Sequence, residues 1–469
     1  MTLSPIARQF LVAGSTHLAA LSAGGVIAYP SVLLEQLKYN ETMIKIDLHK
    51  GSWIGSVHGI AGLPSVFLPF IMQNQGRRFA FILSCLFIMS GWIITYLAQN
   101  IATLIIGECF HGLGTNCLIT TTFLSITEMV SPVYRNSCLL LYGAVQAFGI
   151  SSAGILGRYL HWKTIGIIMG SPVLVALLIG FAWPESPSWL AYKRRFSECE
   201  KCFVKLRGTD ADSKKELKAL LNTQREDVKK TSGFQDLRKT IVSRDFYVPA
   251  LHTCVLLNVL YWCGGMPVII YSSDMIIKIS GKMNVEVKLF MDIVFFVGYI
   301  IATVLVRYFS SKKVMLFSLI GTTTCMMGAA IFSYFSVRLN ADFALYCLMA
   351  FQSFLCLGSS CIGFSLSSEI MPVKYRGLGG SLYVVLICIF HSSCLKAYPY
   401  LCLFLNIWGV FLIYAIYGTF SIVFIWKYVP DTTHRTLKEI EDYYAFGCFK
   451  DRDDDDETLS KAMIDCEGN

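Results

Sequence analysis

Twelve apolar runs, each long enough to cross a lipid bilayer, are the feature that most restricts the fold of this 469-residue chain. A membrane-spanning helix needs roughly 20 apolar residues, and backbone groups in lipid must be hydrogen-bonded within a helix or a closed barrel. The sequence therefore predicts an all-α membrane protein with twelve transmembrane helices. The predicted spans are 10–34, 52–73, 79–98, 101–128, 138–159, 163–183, 247–277, 289–309, 313–336, 343–368, 378–401 and 403–428.

Composition agrees with a membrane protein, because 54% of the residues are hydrophobic and only 15% are charged, against about a quarter in soluble domains. The net charge is +8, but the basic residues form short clusters between apolar runs, so we expect a lipid bilayer and no nucleic acid as partner. No phosphate-binding loop, nucleophile–base motif or metal-ligand set stands out. The pair Cys199 and Cys202 has no second pair to complete a zinc site. We expect no enzyme activity, no cofactor and no metal.

Lysine and arginine residues predict the orientation. They cluster after even-numbered spans, which the positive-inside rule places in the cytoplasm together with both termini; Lys278, Lys282 and Lys288, after span 7, are the exception. We expect an integral membrane protein that resides in the plasma membrane. The sequon Asn40-Glu41-Thr42 falls in the first external loop, so Asn40 is the candidate glycosylation site.

An internal repeat divides the chain into two halves. Glu128 precedes Arg135 by seven residues, and Glu369 precedes Arg376 by the same spacing in the second half. The repeat predicts two parallel six-helix bundles with a solute site between them near the middle of the bilayer. The predicted units are an N-terminal bundle over 1–183, a cytoplasmic helical loop over 184–246, a C-terminal bundle over 247–429 and an acidic cytoplasmic tail over 430–469.

Charged groups at the cytoplasmic ends of the spans suit alternating access. Carboxylates and guanidinium groups there can pair across the two halves. Such pairs would form when the inner mouth is shut and break when it opens. The alternative is that these charges only anchor the protein at the lipid headgroups.

Several motifs resemble those of the sugar porter family of the major facilitator superfamily. Pro184-Glu185-Ser186-Pro187-Ser188-Trp189-Leu190 is similar to P-E-S-P-R-W-L, and Pro430-Asp431-Thr432 begins a run similar to P-E-T-K-G-R-T-L-E-E-I. Ser52-Trp53-Ile54-Gly55-Ser56 resembles span 2 of the insect facilitated trehalose transporter branch. The resemblance implies two six-helix bundles and a cytoplasmic gate network. That network would comprise Arg77, Arg78, Glu128, Arg135, Glu185, Lys312, Lys313, Glu369, Arg376 and Asp431.

This sequence lacks most of the polar residues that face the solute in that family. Amide and other polar residues of the family motifs fall on Leu260, Tyr261, Met266, Phe296 and Ile387. Each solute hydroxyl left without a hydrogen bond costs roughly 1–3 kcal/mol, so these replacements make the cavity less suited to a polyol. The candidate solute-binding residues are Gln146, Asn258, Tyr261, Met266, Tyr271, Ser272, Phe296, Phe364 and Cys388.

Ionisable residues inside spans indicate function, because burying a charge in the bilayer is costly. Glu108 and His111 are three residues apart on span 4 and share a helical face. They could form a titratable pair, with His58 as a third member, or simply an internal hydrogen bond; Asp292 on span 8 is similar. Span 1 has no acid between residues 10 and 34, which favours solute movement without proton coupling, unless Glu108 has taken that role.

The sequence thus predicts a facilitative sugar transporter, for a hexose or a trehalose-like solute, that works as a monomer by alternating access. One alternative is a facilitator of a less polar small solute, suggested by the lost amides. The other is a non-transporting sensor or receptor derived from a transporter.

Overall fold

The computed structural model describes residues 4–39, 46–226, 242–335, 342–360, 362–371, 376–433, 439–440 and 443–444. Within these ranges the regular structure is helical and contains no strand. The predicted all-α membrane class is confirmed.

The first half contains six apolar helical spans. Spans 1 to 6 are Pro5–Tyr39, Leu48–Gln75, Arg77–Leu97, Ile101–Met129, Pro132–Tyr159 and Trp162–Gly180. Asp47 begins span 2 by accepting a hydrogen bond from the Lys50 backbone N–H, and Asn100 caps span 4 through the N–H of Thr103. Such caps satisfy backbone donors that a helix leaves free at its first turn.

The second half contains spans 7 to 12, of which spans 7 and 10 are interrupted and spans 11 and 12 adjoin each other. Span 7 is Arg244–Trp262 followed by Gly265–Ser280, span 8 is Val285–Tyr308 and span 9 is Ser311–Tyr334. The described parts of span 10 are Asp342–Phe354, the π-helical turn Leu355–Ser359 and Ile362–Ile370. Spans 11 and 12 are two helices that together cover Arg376–Tyr428 and meet at Asn406, whose backbone is not helical and has φ 56°. The two six-helix bundles predicted from the repeat are therefore present.

The break in span 7 depends on a glycine. Gly264 has φ 95°, a left-handed conformation that side chains other than glycine rarely adopt. A Cβ atom there would also lie 2.9 Å from Met326 and Tyr414. The break lets Gly265–Ser280 take its own direction beside the opposite bundle.

The spans finish alternately at the two ends of the molecule, which are called the odd end and the even end. Odd-numbered spans finish at the odd end and even-numbered spans at the even end. Three short helices that follow span 6 lie at the even end: Pro187–Tyr192, Phe196–Arg207 and Ala211–Glu226.

These short helices are bonded to the first bundle. The Gln9 amide donates to the Leu206 carbonyl at 2.6 Å, and the Trp189 indole donates to the Gln73 carbonyl at 2.9 Å. Cys199 and Cys202 both lie on the helix Phe196–Arg207, where Cys199 is buried.

Each bundle has its own apolar core. In the first, Phe81 stacks on Trp183 and Tyr29 packs edge-on against Trp92; in the second, Tyr398 stacks on Tyr271 within a cluster of buried apolar side chains. Large apolar side chains cover the outside of the spans, such as Phe67, which is 69% exposed. A lipid bilayer is the environment that such a surface fits.

Candidate functional site

A buried ion cluster joins the two bundles at the odd end. Asp292 of span 8 accepts a hydrogen bond from Arg158 of span 5 at 2.9 Å and one from Lys288 at 2.8 Å. Arg158 also donates to the Val285 carbonyl. The three charged side chains are only 7 to 11% exposed, so solvent screens their attraction weakly.

A second cluster at the odd end joins spans 1 and 7. Asp274 pairs with Lys38 of the first bundle and with Lys278 of its own helix, both at 2.7 Å. Ser273 donates to the Glu35 carboxylate at 2.6 Å. Lys278 and Lys288 thus form ion pairs with Asp274 and Asp292. This pairing explains why these two lysines lie after an odd-numbered span, where the other connections carry few basic residues.

Two further hydrogen bonds join the bundles between the odd end and mid-membrane. Lys396 of span 11 donates to the Ser52 hydroxyl at 2.8 Å, and Ser392 donates to the Ser56 carbonyl at 2.7 Å. Spans 2 and 11 therefore pack closely along their odd-end halves.

At the even end, the described charged contacts lie within each bundle. The Arg77 guanidinium donates two hydrogen bonds to the Glu128 carboxylate, both at 2.8 Å. The Glu185 carboxylate accepts a hydrogen bond from the Arg77 backbone N–H at 2.8 Å. Burial raises the pKa of the Glu185 carboxyl, and backbone N–H groups offset part of that effect. Arg78 donates to the Phe181 carbonyl.

The second bundle has a matching arrangement. Asp431 accepts from Ser310 at 2.6 Å, and Lys312 donates to the Val429 carbonyl at 2.6 Å. Burial alone would raise the pKa of Asp431, but hydrogen bonds from Ser310 and Thr433 hold it below its usual value.

Four members of the predicted gate network remain: Arg135, Lys313, Glu369 and Arg376. The Arg135 Nε atom is buried without a partner among the described residues, and Lys313 is exposed. Glu369 and Arg376 lie on helices, but their side chains fall outside the described part. In the described residues, Arg77, Glu128 and Glu185 come together in one half, and Lys312 and Asp431 in the other.

The predicted solute-binding residues fall into two groups. Those that touch the opposite bundle are Tyr271, whose hydroxyl lies against Gly55, Phe296, which packs on Phe148, and Cys388, which faces Asn116. Three others bond or pack within their own half: Asn258 donates to the Tyr417 hydroxyl, and Tyr261 and Met266 belong to the apolar core of the second bundle. The Nε2 atom of Gln146 is buried and has no partner among the described residues. Phe364 lies on the helix Ile362–Ile370, and Asn40 lies outside the described residues.

Ser272 lines a small cavity between the bundles, formed by spans 1, 5, 7, 8 and 10. Its volume of about 20 Å³ suits roughly one water molecule. Three buried polar atoms at this cavity have no hydrogen-bond partner in the described residues: the hydroxyls of Ser151 and Ser272 and the Oε1 atom of Gln352. Buried polar groups require partners, and in the described structure this cavity has room for one water molecule or one hydroxyl group to supply them.

Ser151 and Gln352 were not among the residues predicted from sequence. Each is a polar residue within an apolar run, and that is the only signal the sequence offers. Asp292 was singled out as an ionisable residue, but its partner Arg158 was not.

Glu108 and His111 lie side by side on span 4, and His58 of span 2 lies next to them. Glu108 is 3.5 Å from the Nδ1 atom of His111 and 3.9 Å from that of His58. The described residues contain no group of His, Cys, Asp and Glu arranged to hold a metal ion.

Comparison with known proteins gives one family over most of the chain. Residues 11–444 match the model of the family described as sugar (and other) transporters. The chain is 24% identical over 460 residues to the facilitated trehalose transporter Tret1 of Apis mellifera ligustica, covering 93% of this chain and 88% of the relative. It is 25% identical over 403 residues to sugar transporter ERD6-like 2 of Arabidopsis thaliana, covering 83% and 85%.

Solved structures share the fold. The inward-open xylose transporter XylE from E. coli superposes with a TM-score of 0.73 at 15% identity, covering 92% of this chain and 99% of that one. XylE bound to 6-bromo-6-deoxy-D-glucose gives a TM-score of 0.72 at 18% identity, covering 93% and 99%.

Proposed function

Because the chain belongs to the family of sugar (and other) transporters, we propose that it carries a hexose or trehalose-like sugar across a membrane, down the sugar's own gradient, by alternating access. The observation that carries this proposal is the position of the contacts between bundles. The two described ion pairs that join the bundles, Lys38–Asp274 and Arg158–Asp292, both lie at the odd end. A carrier closed at one end and opening at the other has this asymmetry.

The proposed orientation places the even end in the cytoplasm. Basic residues concentrate there, as the positive-inside rule requires for cytoplasmic connections. Both termini then lie in the cytoplasm, and the carrier works as a monomer in the plasma membrane. The state described is accordingly closed to the outside.

The even-end charges act as an inner gate in this proposal. Glu128, Glu185 and Asp431 bond within their own bundles while the odd end is closed. When the inner mouth shuts, the two sets approach, and carboxylates of one half can exchange partners with basic groups of the other. The alternating states need differ by only a few kcal/mol.

The proposed solute site lies between the bundles, at the cavity that Ser151, Ser272 and Gln352 line. These groups supply hydrogen bonds in place of the amides that the sequence lacks elsewhere. In this proposal the cavity enlarges as the odd end opens, so that it can admit a sugar.

Uptake into proteoliposomes tests the function. We expect saturable entry of radiolabelled trehalose or glucose that persists after the proton gradient is collapsed, with protein-free liposomes as the control. Sugar binding without uptake would instead identify a sensor. Uptake confined to an apolar solute would favour a second candidate function, a facilitator of a less polar small solute. Met266, Phe296 and Tyr261 support this candidate, because they stand where the family motifs have polar residues.

Gln352→Leu tests the solute site. We expect the KM for sugar to rise about two- to tenfold at nearly constant maximal rate, because a lost neutral hydrogen bond costs about 0.5–1.5 kcal/mol. Ser280→Ala is the matched control, since its hydroxyl bonds only to local carbonyls at the end of span 7. A KM for Gln352→Leu equal to that of the control would remove Gln352 from the site.

A further inference from the structure

A buried carboxyl–histidine cluster lies in the odd-end halves of spans 2 and 4, and facilitated transport as proposed above does not use it. Glu108 and His111 of span 4 are fully buried, and His58 of span 2 is nearly so. The Nδ1 atoms of the two histidines face the two carboxylate oxygens of Glu108 at 3.5 and 3.9 Å. These three residues are called the acid–histidine cluster below.

Ring hydrogens are expected to face Glu108, although only the 3.5 Å contact with His111 is a hydrogen bond and the Oε2 atom that faces His58 has no hydrogen-bond partner among the described residues. A bare ring nitrogen facing a carboxylate oxygen is repelled by it, so each Nδ1 atom facing Glu108 carries a hydrogen. The second nitrogen of His58 lies 3.0 Å from the Thr115 hydroxyl. The Nε2 atom of His111 has no partner among the described residues.

Electroneutrality then demands one proton more. With both imidazoles neutral and Glu108 ionised, the cluster carries a full negative charge inside the bilayer, which is strongly unfavourable. One added proton, on a ring nitrogen or on the carboxyl, makes it neutral. No Lys or Arg is paired with Glu108 among the described residues, so the charge is balanced within the cluster.

The cluster touches the opposite bundle through His58. The rings of His58 and of His391 on span 11 are 5.2 Å apart. Beside them, a Cβ atom at Gly59 would lie only 2.5 Å from the Cys388 carbonyl. This close packing exists only while spans 2 and 11 are closed on each other, so opening of the odd end separates His58 from His391 and admits water.

Other titratable groups near the cluster are few. Tyr261 of span 7 lies 6.0 Å from the His391 ring. Tyr29 of span 1 and Cys109 of span 4 are within electrostatic range of Glu108. None of them is a cation that could replace the missing proton.

We propose that the acid–histidine cluster is a proton-binding site that exchanges protons with the compartment at the odd end, and that its occupation is required for the bundles to close there. The proposal builds on the proposed carrier function. While the odd end is closed, Glu108 has no exposed surface, so the bound proton stays in place and is not released at the even end.

The sign of the pH effect follows from this linkage. As the pH of the odd-end compartment rises, the open cluster loses its proton, and closure would bury an uncompensated carboxylate. Alkaline conditions therefore favour the open odd end. For one linked proton, the ratio of closed to open forms falls by up to about tenfold per pH unit.

A distance measurement tests the proposal without any sugar. Spin labels replace Lys50 of the first bundle and Lys282 of the second, both exposed at the odd end. We expect the longer of two distances to gain population from mildly acidic to mildly alkaline pH. Glu108→Gln, which is neutral at every pH, abolishes that shift, whereas His49→Gln, at an exposed histidine of the same end, retains it.

Several results would overturn the proposal. These are a wild-type distance that does not respond to pH, or a full response in Glu108→Gln. If Glu108→Gln does not fold, Glu108→Met takes its place, because it also removes the carboxyl group and fills a similar volume. We expect the pH response of that variant to be reduced at least severalfold, and an unchanged response contradicts the proposal.

Flux measurements separate this proposal from the carrier function. Sugar entry from the odd end should slow as the pH of that side rises and stay nearly constant when only the other side is titrated. A pH-dependent distance without sugar flux would leave the proton site standing and refute the carrier function. One proton taken up with each sugar would overturn exchange from one side only.

Discussion

Asp292→Asn is expected to open the odd end by about a hundredfold or more in the ratio of open to closed forms. The substitution keeps the shape of the side chain but leaves Arg158 and Lys288, both 7% exposed, without a counter-charge. Removing one partner of a buried pair costs about 3–5 kcal/mol. Here the two remaining cations also repel each other across the bundle interface. Reactivity of a membrane-impermeant thiol reagent with a cysteine introduced at the odd end measures the opening.

The matched control is Glu198→Gln, which removes the exposed pair Arg195–Glu198, about half exposed on both sides. Exposed pairs contribute about 1 kcal/mol or less, so the control should leave odd-end reactivity nearly unchanged. Sugar uptake by Asp292→Asn should also fall, because the closed state is an obligatory step of the cycle. Equal reactivity in the two variants would show that the Asp292 cluster does not hold the bundles together.

Gly24→Ala is expected to destabilise the first bundle by about 1–3 kcal/mol or more, the usual cost of overpacking. A Cβ atom at Gly24 would lie 2.1 Å from the Gln146 carbonyl, and one at Gly149 would lie 2.3 Å from the Leu21 carbonyl. Small residues let transmembrane helices approach this closely, so spans 1 and 5 must move apart to accept a methyl group. The midpoint temperature for loss of the monodisperse species in detergent measures the effect.

Gly14→Ala is the control on the same helix, because nothing lies within 4 Å of a Cβ atom there. Alanine favours a helix over glycine by up to about 1 kcal/mol, so this variant should be as stable as the wild type or slightly more stable. A midpoint for Gly24→Ala equal to that of Gly14→Ala would mean that spans 1 and 5 are not packed as described.

The predicted spans agree with the observed helices to within a few residues at most boundaries. Span 4, predicted over 101–128, is Ile101–Met129, because its apolar run and its Asn100 cap are adjacent in sequence. The break at Gly264 and the π-helical turn Leu355–Ser359 were not predicted. Both lie inside apolar runs, where hydropathy alone does not mark an interruption.

The candidate site was predicted less completely. The pairing of Glu108 with His111 follows from their spacing of three residues on one helix. The sequence pointed to Asp292 but not to its partner Arg158, because Arg158 is 134 residues away in sequence and belongs to the other bundle. The cavity of Ser151 and Gln352 was not predicted, since isolated polar residues in apolar runs do not reveal which spans will face each other.

The sequence by itself determined the class of protein, the number of spans and the division into two halves. These depend on local hydropathy and on a repeat, and both can be counted along the chain. Only the tertiary structure decided which end is closed, which carboxylates meet which cations and where unpartnered polar groups converge. Those contacts join residues from separate helices, and helix rotation, tilt and side-chain packing set them, none of which is fixed by the composition of a single span.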